Sequence, residues 1–309
     1  MKEGSRRAII AAFLANLGIA AAKFVGFAFT GAASMLAEAV HSVADTGNQA
    51  LLFLGGARSR KAADEEHPFG HGRERYFWGF VVAMVLFSLG ALFAIYEGIE
   101  KLRHPHELES PGWAIGILGV AIVLEGLSFR TAVKEARHLR GSDSWWQFIR
   151  RSKTPELPVV LLEDSGALVG LVFALAGVGL ALLTGNPRFD AIGSIAIGCL
   201  LGAIAAVLAV EMKSLLIGEA AAPGDVGAVR AAITGVPRVR RIIHMRTLHL
   251  GPEEVLVAAK VEFDPALTIA ELGHAIDEVE GAIRAAVPIV RLIYIEPDVY
   301  RPPAAAPIP

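Results

Sequence analysis

Ionisable side chains occur inside two long apolar segments of this 309-residue chain, and this feature limits what the chain can fold into. The segment AEAVHSVAD contains Glu38, His41 and Asp45, and the segment VVLLEDSGALVG contains Glu163 and Asp164. Placing one charged side chain at the centre of a lipid bilayer costs about 2.5–3.5 kcal/mol on insertion scales. The pattern therefore indicates a membrane protein that uses these groups to move metal ions or protons.

The composition also favours a membrane protein, with the lipid bilayer as its main partner. Of all residues, 54% are hydrophobic and 19% are charged, whereas soluble domains carry about 25% charged residues. A membrane-spanning helix needs about 20 apolar residues. Six segments meet this length and are predicted to span at residues 7–29, 32–57, 76–102, 113–133, 157–183 and 191–216. The net charge of −2 gives no indication of nucleic-acid binding.

Basic residues flank these segments unevenly and predict the orientation. Most lie before the first segment, between the second and third, and between the fourth and fifth, whereas the opposite side carries only Lys101, Arg103 and Arg188. Because positive charge is retained in the cytoplasm, both termini are predicted to be cytoplasmic. The first apolar run continues without a cleavage site, so no signal peptide is predicted. The composition, rich in alanine, glycine and arginine, favours the bacterial inner (cytoplasmic) membrane.

The C-terminal third has the pattern of a soluble α+β domain. Segments with alternating polarity, VRRIIHMRTLHL and EVLVAAKVEF, lie between segments with helical periodicity, and the predicted order is α-β-β-α-β. We therefore predict a six-helix transmembrane domain over 1–217 and a cytoplasmic ferredoxin-like α+β domain over 218–300. A disordered Pro- and Ala-rich tail is predicted over 301–309. The α+β domain is expected to form a homodimer.

Metal binding is the main hypothesis for the ionisable groups in the membrane. Residues three and four apart share a helix face, so Glu38, His41 and Asp45 form one polar stripe. Glu163 and Asp164 are adjacent and point about 100° apart, so we expect only one of them to face the same point. Imidazole with carboxylates suits Zn²⁺, and manganese, iron or cobalt could use the same groups. The alternatives are polar pairing between helices and a pure proton relay.

A second candidate metal cluster lies in the predicted cytoplasmic loop DEEHPFGHGR. It contains Asp64, His67 and His71, and Pro68 and Gly70 predict a turn here. Two imidazoles and a carboxylate are suitable ligands for a surface metal. The alternative is a charged, solvated loop without a metal.

Together these motifs resemble the cation diffusion facilitator family. The resemblance covers nearly the whole chain and is carried by AEAVHSVADTGNQALL, HPFGHGRERYFWG, LLEDSGALVG and TGNPRFDAIGSIAIG. Within the family, these segments are most similar to the zinc transporter nine branch. The resemblance implies a homodimer that exchanges a divalent metal, most often zinc, for protons.

The family pattern can be compared with this sequence residue by residue. His41 and Asp45 match the ligand pair of the second span, and Glu163 matches the first ligand of the fifth span. The usual second ligand of that span, an aspartate, falls at Ala167, which cannot bind a metal. A fourth ligand would then come from water or from one of two further carboxylates, Glu38 or Asp164.

In the soluble parts, the resemblance implies one retained metal site and one degraded site. The Asp and His residues of the loop motif match a second metal site of bacterial members. In the C-terminal domain His244 falls where a zinc ligand is expected. Lys260 and Tyr294 fall at or near other ligand positions, which indicates that this cytoplasmic metal pair is degraded. We expect His249 and His274 to be ordinary surface histidines.

The sequence therefore predicts a proton-coupled divalent metal antiporter that exports zinc, and not an enzyme. A zinc-dependent membrane enzyme is disfavoured because the sequence has no HExxH, GxSxG or nucleotide-binding loop. A transporter of manganese, iron or cobalt is an alternative. A non-transporting membrane scaffold is another: Ala167 supports it, and retention of His41, Asp45 and Glu163 opposes it.

Overall fold

The structure is a computed structural model, and it describes residues 3–105, 111–141 and 144–302, without the side chains of residues 3–16, 111, 135, 138 and 139. The chain divides into two compact units. The first comprises Met1–Arg58 and Glu74–Lys213, and the second comprises Ser59–Arg73 and Ser214–Pro309. Most of the predicted disordered tail, residues 303–309, lies outside the described residues.

Helices make up the first unit. In chain order they are α1 (Glu3–Thr30), α2 (Ala33–Arg58), α3 (Glu74–Val85), a π-helical segment (Leu86–Leu92), α4 (Phe93–Arg103), α5 (Pro111–Arg140), α6 (Trp145–Arg151), α7 (Glu156–Thr184) and α8 (Arg188–Ile217). The third predicted span is thus one continuous helical rod made of α3, the π-helical segment and α4. Every predicted span lies on a helix of this unit.

Four spans in the described part of the chain are long and apolar enough to cross a membrane: Glu74–Arg103, Gly112–Lys134, Glu156–Thr184 and Arg188–Ile217. The first predicted span contributes the shorter apolar segment Leu17–Thr30. The second predicted span, on α2, is not among the four, because Glu38, His41 and Asp45 lower its hydropathy. The prediction of a helical membrane domain is confirmed, and the number of six spans stays a prediction.

The first unit has an apolar exterior and a core built on small residues. Large apolar side chains such as Trp113, Val123 and Leu183 are exposed, as expected for helices that face lipid. Gly98 and Gly198 allow α8 to approach the third span closely. A Cβ at Gly98 would lie 2.8 Å from the backbone oxygen of Ala191 on α8, and a Cβ at Gly198 would lie 2.8 Å from that of Ala91 in the π-helical segment. Small residues at such interfaces allow tight helix packing where lipid gives no hydrophobic driving force.

A buried carboxylate links three helices, α8, α2 and α4, at one end of this bundle. Asp190, fully buried in the first turn of α8, accepts hydrogen bonds from Ala33 N at 2.8 Å and Ser34 N at 3.3 Å, and also from the Ser34 hydroxyl. It therefore caps the N-terminus of α2 from another helix. The buried Lys101 ammonium lies 3.5 Å from Asp190 Oδ2 and donates to the Gly31 carbonyl. The turn that precedes α8 covers residues 185–187, so Asp190 is helical.

The second unit contains the predicted α-β-β-α-β order. Its elements are α9 (Pro223–Thr234), β1 (Val239–Gly251), β2 (Glu254–Phe263), α10 (Ile269–Ala286) and β3 (Val290–Pro297). The strand order is β1-β2-β3, with β2 antiparallel to β1 and parallel to β3. Alternate residues of β2 are buried, and they pack with apolar residues of α9 and α10 in a separate core. The α+β prediction is confirmed.

We expect Asp190→Ala to destabilise the membrane unit strongly. The substitution removes the cap of α2 and leaves the buried Lys101 ammonium without its carboxylate. Breaking a buried ion pair in this way costs about 3–5 kcal/mol. Thermal unfolding in detergent should show a clearly lower midpoint. Glu100→Ala, which removes an exposed carboxylate paired with His104, serves as the control and should change stability by less than about 1 kcal/mol. Equal midpoints for the two variants would contradict this role of Asp190.

Candidate metal centre

Three of the predicted ligands line one cavity between helices of the first unit. They are Asp45 from α2 and Glu163 and Asp164 from α7. The remaining lining residues are Ile19, Ser42, Gln49, Glu125, Ser128 and Val160. The cavity is therefore rich in carboxylates although it lies within apolar helices.

Glu163 and Asp164 both line this cavity, and their carboxylates are directed toward different helices. The Glu163 carboxylate accepts a hydrogen bond from the Asn48 amide of α2 at 2.6 Å. The Asp164 carboxylate accepts one from the Ser128 hydroxyl of α5 at 3.4 Å. The 100° between adjacent residues thus directs one carboxylate toward α2 and the other toward α5.

His41 is fully buried beside Asp45, one turn away on α2. Its Nδ1 lies 3.4 Å from Asp45 Oδ1, but neither ring nitrogen has a hydrogen-bond partner among the described residues. Asp45 Oδ1 also has no hydrogen-bond partner there. Leaving a buried polar group unpaired costs about 1–3 kcal/mol. These orphaned atoms therefore indicate a place where a metal ion or a proton binds.

Glu38, the third member of the predicted stripe, has a different environment and does not line the cavity. Its Oε2 is 3.1 Å from the ammonium of Lys23 on α1, which also donates to Ser42 Oγ at 2.7 Å and lies 4.0 Å from Glu125 Oε1. Lys23 and Glu38 are both fully buried. The sequence interpretation missed Lys23. Its signal was a single lysine within the apolar run 7–29.

On α7, the face where the family pattern places a second ligand carries small apolar residues and leaves little space. Ala167 is buried, and Gly170 follows it one turn later. A Cβ at Gly170 would lie 2.5 Å from Glu38 Oε1, so the Glu38 carboxylate packs directly against this glycine. The space near the missing ligand is thus occupied by a carboxylate from α2, which is already paired with Lys23.

The loop residues Asp64, His67 and His71 lie together in the second unit. His67 Nδ1 is 3.3 Å from Asp64 Oδ1, and His71 Nε2 is 3.1 Å from Asp64 Oδ2. One ligand atom from each residue lies within 4.8 Å of the others, and no other such trio of His, Cys, Asp or Glu was found among the described residues. The expected turn is confirmed, with Gly70 at φ +77°. Small adjustments would place the three atoms around a zinc ion with bonds of about 2.0–2.1 Å.

Asp64 is held in its ionised form. Its pKa is lowered from 3.8 to about 2, mainly by the hydrogen bond with the His71 ring and then by the bond from the His67 backbone N–H, which it accepts at 2.7 Å. A carboxylate must be ionised to bind a metal. Asp64 is therefore available as a ligand at any physiological pH.

Lys260 lies at or near a position where the resemblance implies a metal ligand, and its neighbours in the sheet are now clear. In the sheet, Lys260 pairs with His244 of β1 and with Glu296 of β3. Its ammonium lies 2.9 Å from Glu296 Oε1 and 3.0 Å from Asp298 Oδ2. These hydrogen bonds, that with Glu296 first, raise the pKa of Lys260. The expectation for His249 is wrong: it is 1% exposed and contacts the Gly251 carbonyl at 3.1 Å.

Comparison with known families identifies the class of this protein. A family model described as the cation efflux transmembrane domain matches residues 9–217, and one described as the cation efflux protein cytoplasmic domain matches residues 222–298. The chain therefore belongs to the cation efflux family, and it is a multi-pass membrane protein. The family predicted from the motifs is confirmed.

Curated relatives cover most of this chain. The proton-coupled zinc antiporter SLC30A9, mitochondrial, of Xenopus laevis is 38% identical over 244 residues, which are 78% of this chain and 44% of that protein. Its Homo sapiens counterpart is 36% identical over 244 residues, 78% of this chain and 43% of that protein. Metal tolerance protein C4 of Arabidopsis thaliana is 30% identical over 267 residues, which are 86% of this chain and 58% of that protein. This chain thus spans only about half the length of these relatives.

We expect Lys260→Met to reduce the acid sensitivity of the C-terminal domain. The Lys260 ammonium, followed by the Val299 N–H, lowers the pKa of Asp298. A lowered folded-state pKa stabilises the domain above the unfolded value of about 3.9, and this contribution is lost as pH falls through the lowered pKa. The raised pKa of Lys260 likewise contributes fully below about pH 10.4, and this contribution is lost as pH rises through the raised pKa.

Hydrogen exchange of the β2 and β3 amides in the full chain measures this effect. Between about pH 5 and 2, the native chain should lose more protection than Lys260→Met, because the substitution removes the largest cause of the lowered pKa of Asp298. Lys260→Arg keeps the charge and should behave as the native chain does. The same acid response in the native chain and in Lys260→Met would contradict the prediction.

Proposed function

We propose that the protein is an antiporter that exports Zn²⁺ from the cytoplasm in exchange for protons. The observation that carries this proposal is the cavity lined by Asp45, Glu163 and Asp164, next to which His41 has no hydrogen-bond partner among the described residues. The names of the curated relatives, which include a proton-coupled zinc antiporter, support zinc as the transported ion and protons as the driving ion.

Competition between metal and protons at the same atoms provides the coupling. Zinc binds only to deprotonated carboxylates and neutral imidazole, so its binding releases protons from these groups. His41 and Asp45 lie on α2, Glu163 and Asp164 lie on α7, and a relative movement of these helices would change both the donor set and its access to water. Asn48 orients Glu163 by its hydrogen bond, which keeps that carboxylate directed toward α2. Protons entering from the opposite side would then displace the metal.

Manganese, iron and cobalt are the second candidate cargo. One imidazole with three carboxylates is rich in oxygen ligands, which suit harder cations, and the buried apolar Ala167 removes the second ligand that the family pattern places on α7. His41 and the names of the relatives favour zinc over this alternative.

The proposal extends to the location and assembly of the protein. We infer the inner membrane of a bacterium from the composition rich in alanine, glycine and arginine, and cytoplasmic termini from the uneven distribution of Lys and Arg in the connections. A homodimer formed through the C-terminal domain is supported by the match to the family's cytoplasmic domain. A transporter with this arrangement needs no enzymatic activity.

Zinc flux in proteoliposomes with an imposed pH gradient tests the proposed activity. We expect gradient-dependent uptake by the native chain and a loss of at least about tenfold in His41→Ala, Asp45→Asn and Glu163→Gln, because each removes a ligand from the same centre. Parallel assays with manganese, iron and cobalt determine the cargo.

Matched substitutions outside the cavity serve as controls for this assay. His104→Ala removes an exposed imidazole and Glu100→Gln removes its exposed partner, so both should retain native flux. The absence of gradient-driven flux of all four metals by the folded native chain would overturn the proposal and favour a scaffold role.

We also propose that Asp64, His67 and His71 bind a second zinc ion in the loop. In an Asp45→Asn background, calorimetric titration of the full chain should still detect a single zinc ion, and a further His71→Ala substitution should remove it. Glu65→Gln and Glu66→Gln in the same loop should have no effect. Because metal ligands must be deprotonated, zinc binding competes with protons, and affinity should fall as pH decreases from about 7.5 to 5.5. Unchanged affinity over this range would contradict the cluster as a zinc site.

A further inference from the structure

A buried ion pair borders the candidate metal centre without forming part of its cavity lining. Lys23 and Glu38 are fully buried and lie 3.1 Å apart, and the Lys23 ammonium also contacts two groups of the cavity wall, Ser42 at 2.7 Å and Glu125 at 4.0 Å. The ammonium of Lys23, from α1, is thus in contact with the wall of the proposed metal cavity.

The contacts of Glu38 show why it is separated from the predicted ligands on its own helix face. One of its oxygens is bound by Lys23, and the other lies over Gly170 of α7, where even a methyl group would not fit. To reach the cavity, the carboxylate would have to leave Lys23, and the carboxylate that would remain near the ammonium, Glu125, is 4.0 Å away. Glu38 is therefore fixed by its ion pair with Lys23 on one side and by close packing against Gly170 on the other.

The charges around the centre show what the pair contributes. Four carboxylates line the cavity, those of Asp45, Glu125, Glu163 and Asp164, and Lys23 is the cation that contacts its wall among the described residues. In a medium of low polarity, a fixed positive charge near the cavity opposes the binding of a dication, and a fixed negative charge favours it. As a pair, Lys23 and Glu38 add no net charge.

We propose that Lys23 is a positioning residue of the metal centre: it retains Glu38 as its counter-ion, outside the coordination sphere, and so prevents metal binding too tight for release. This inference rests on the proposed antiport function. A transporter must bind its ion firmly enough to collect it and weakly enough to discharge it. An additional free carboxylate beside the cavity would shift this balance toward retention.

A charge-balance cycle tests the proposal in full-length protein carrying His71→Ala, which removes the loop cluster from the measurement. Zinc affinity is measured for the parent and for Lys23→Met, Glu38→Gln and the double substitution. Lys23→Met frees a negative charge and should bind zinc about tenfold more tightly, with slower gradient-driven flux. Glu38→Gln leaves the ammonium without its partner and should bind about tenfold more weakly. The double substitution restores neutrality and should bind as the parent does.

Opposite shifts that cancel in the double substitution are the signature of charge balance, which a merely structural role would not produce. Lys23→Arg keeps the charge and should retain the parent affinity. Equal weakening in Glu38→Gln and in the double substitution would make Glu38 a ligand and overturn the proposal, as would unchanged affinity in all variants. If Lys23→Met does not fold, the comparison of Glu38→Gln with the neutral double substitution still decides.

The same measurements distinguish a failure of the proposed function from a failure of the role proposed for Lys23. A parent protein that binds no zinc, or binds it equally with and without Asp45→Asn, would overturn the metal centre itself, and this inference with it. A parent that binds zinc and loses it in Asp45→Asn, but does not respond to substitutions at Lys23 and Glu38, would overturn only the role of Lys23.

Discussion

The pairing of buried charges within apolar helices is the constraint on which the membrane unit depends. Lipid offers no water to solvate an ion, so each charge must find a partner in the protein or bind an ion. Asp190 satisfies this requirement with the N-terminus of α2 and with Lys101. Glu38 satisfies it with Lys23. His41 lies 3.4 Å from Asp45, but neither its ring nitrogens nor Asp45 Oδ1 have a hydrogen-bond partner among the described residues.

In both units a lysine holds carboxylates by ion pairs. Lys101 holds the carboxylate that caps α2, Lys23 holds the carboxylate next to the metal centre, and Lys260 joins Glu296 and Asp298 at one side of the sheet. In each case an ammonium group supplies a permanent charge with flexible hydrogen-bond donors. Lys260 thereby holds Glu296 of β3 and Asp298, which follows that strand, close to β2.

The two candidate metal sites differ in the way the chain constructs them. The loop cluster comes from eight consecutive residues, and a short turn is enough to bring its ligand atoms together. The membrane centre requires α2, α5 and α7 to pack in one arrangement, and a movement between helices can therefore alter it. This difference agrees with a static site in the loop and a transport site in the membrane.

The sequence by itself determined the helical membrane domain, the α-β-β-α-β order and the loop cluster, because these depend on local periodicity, hydropathy and spacing. It also identified His41, Asp45 and Glu163 as candidates, through charged residues in apolar segments. Only the tertiary structure decided that Glu163 and Asp164 both line the cavity, that Glu38 pairs with Lys23, that Asp190 caps α2 and that His249 is buried. These outcomes depend on which helix or strand lies opposite each side chain, and that information is absent from spacing along the chain.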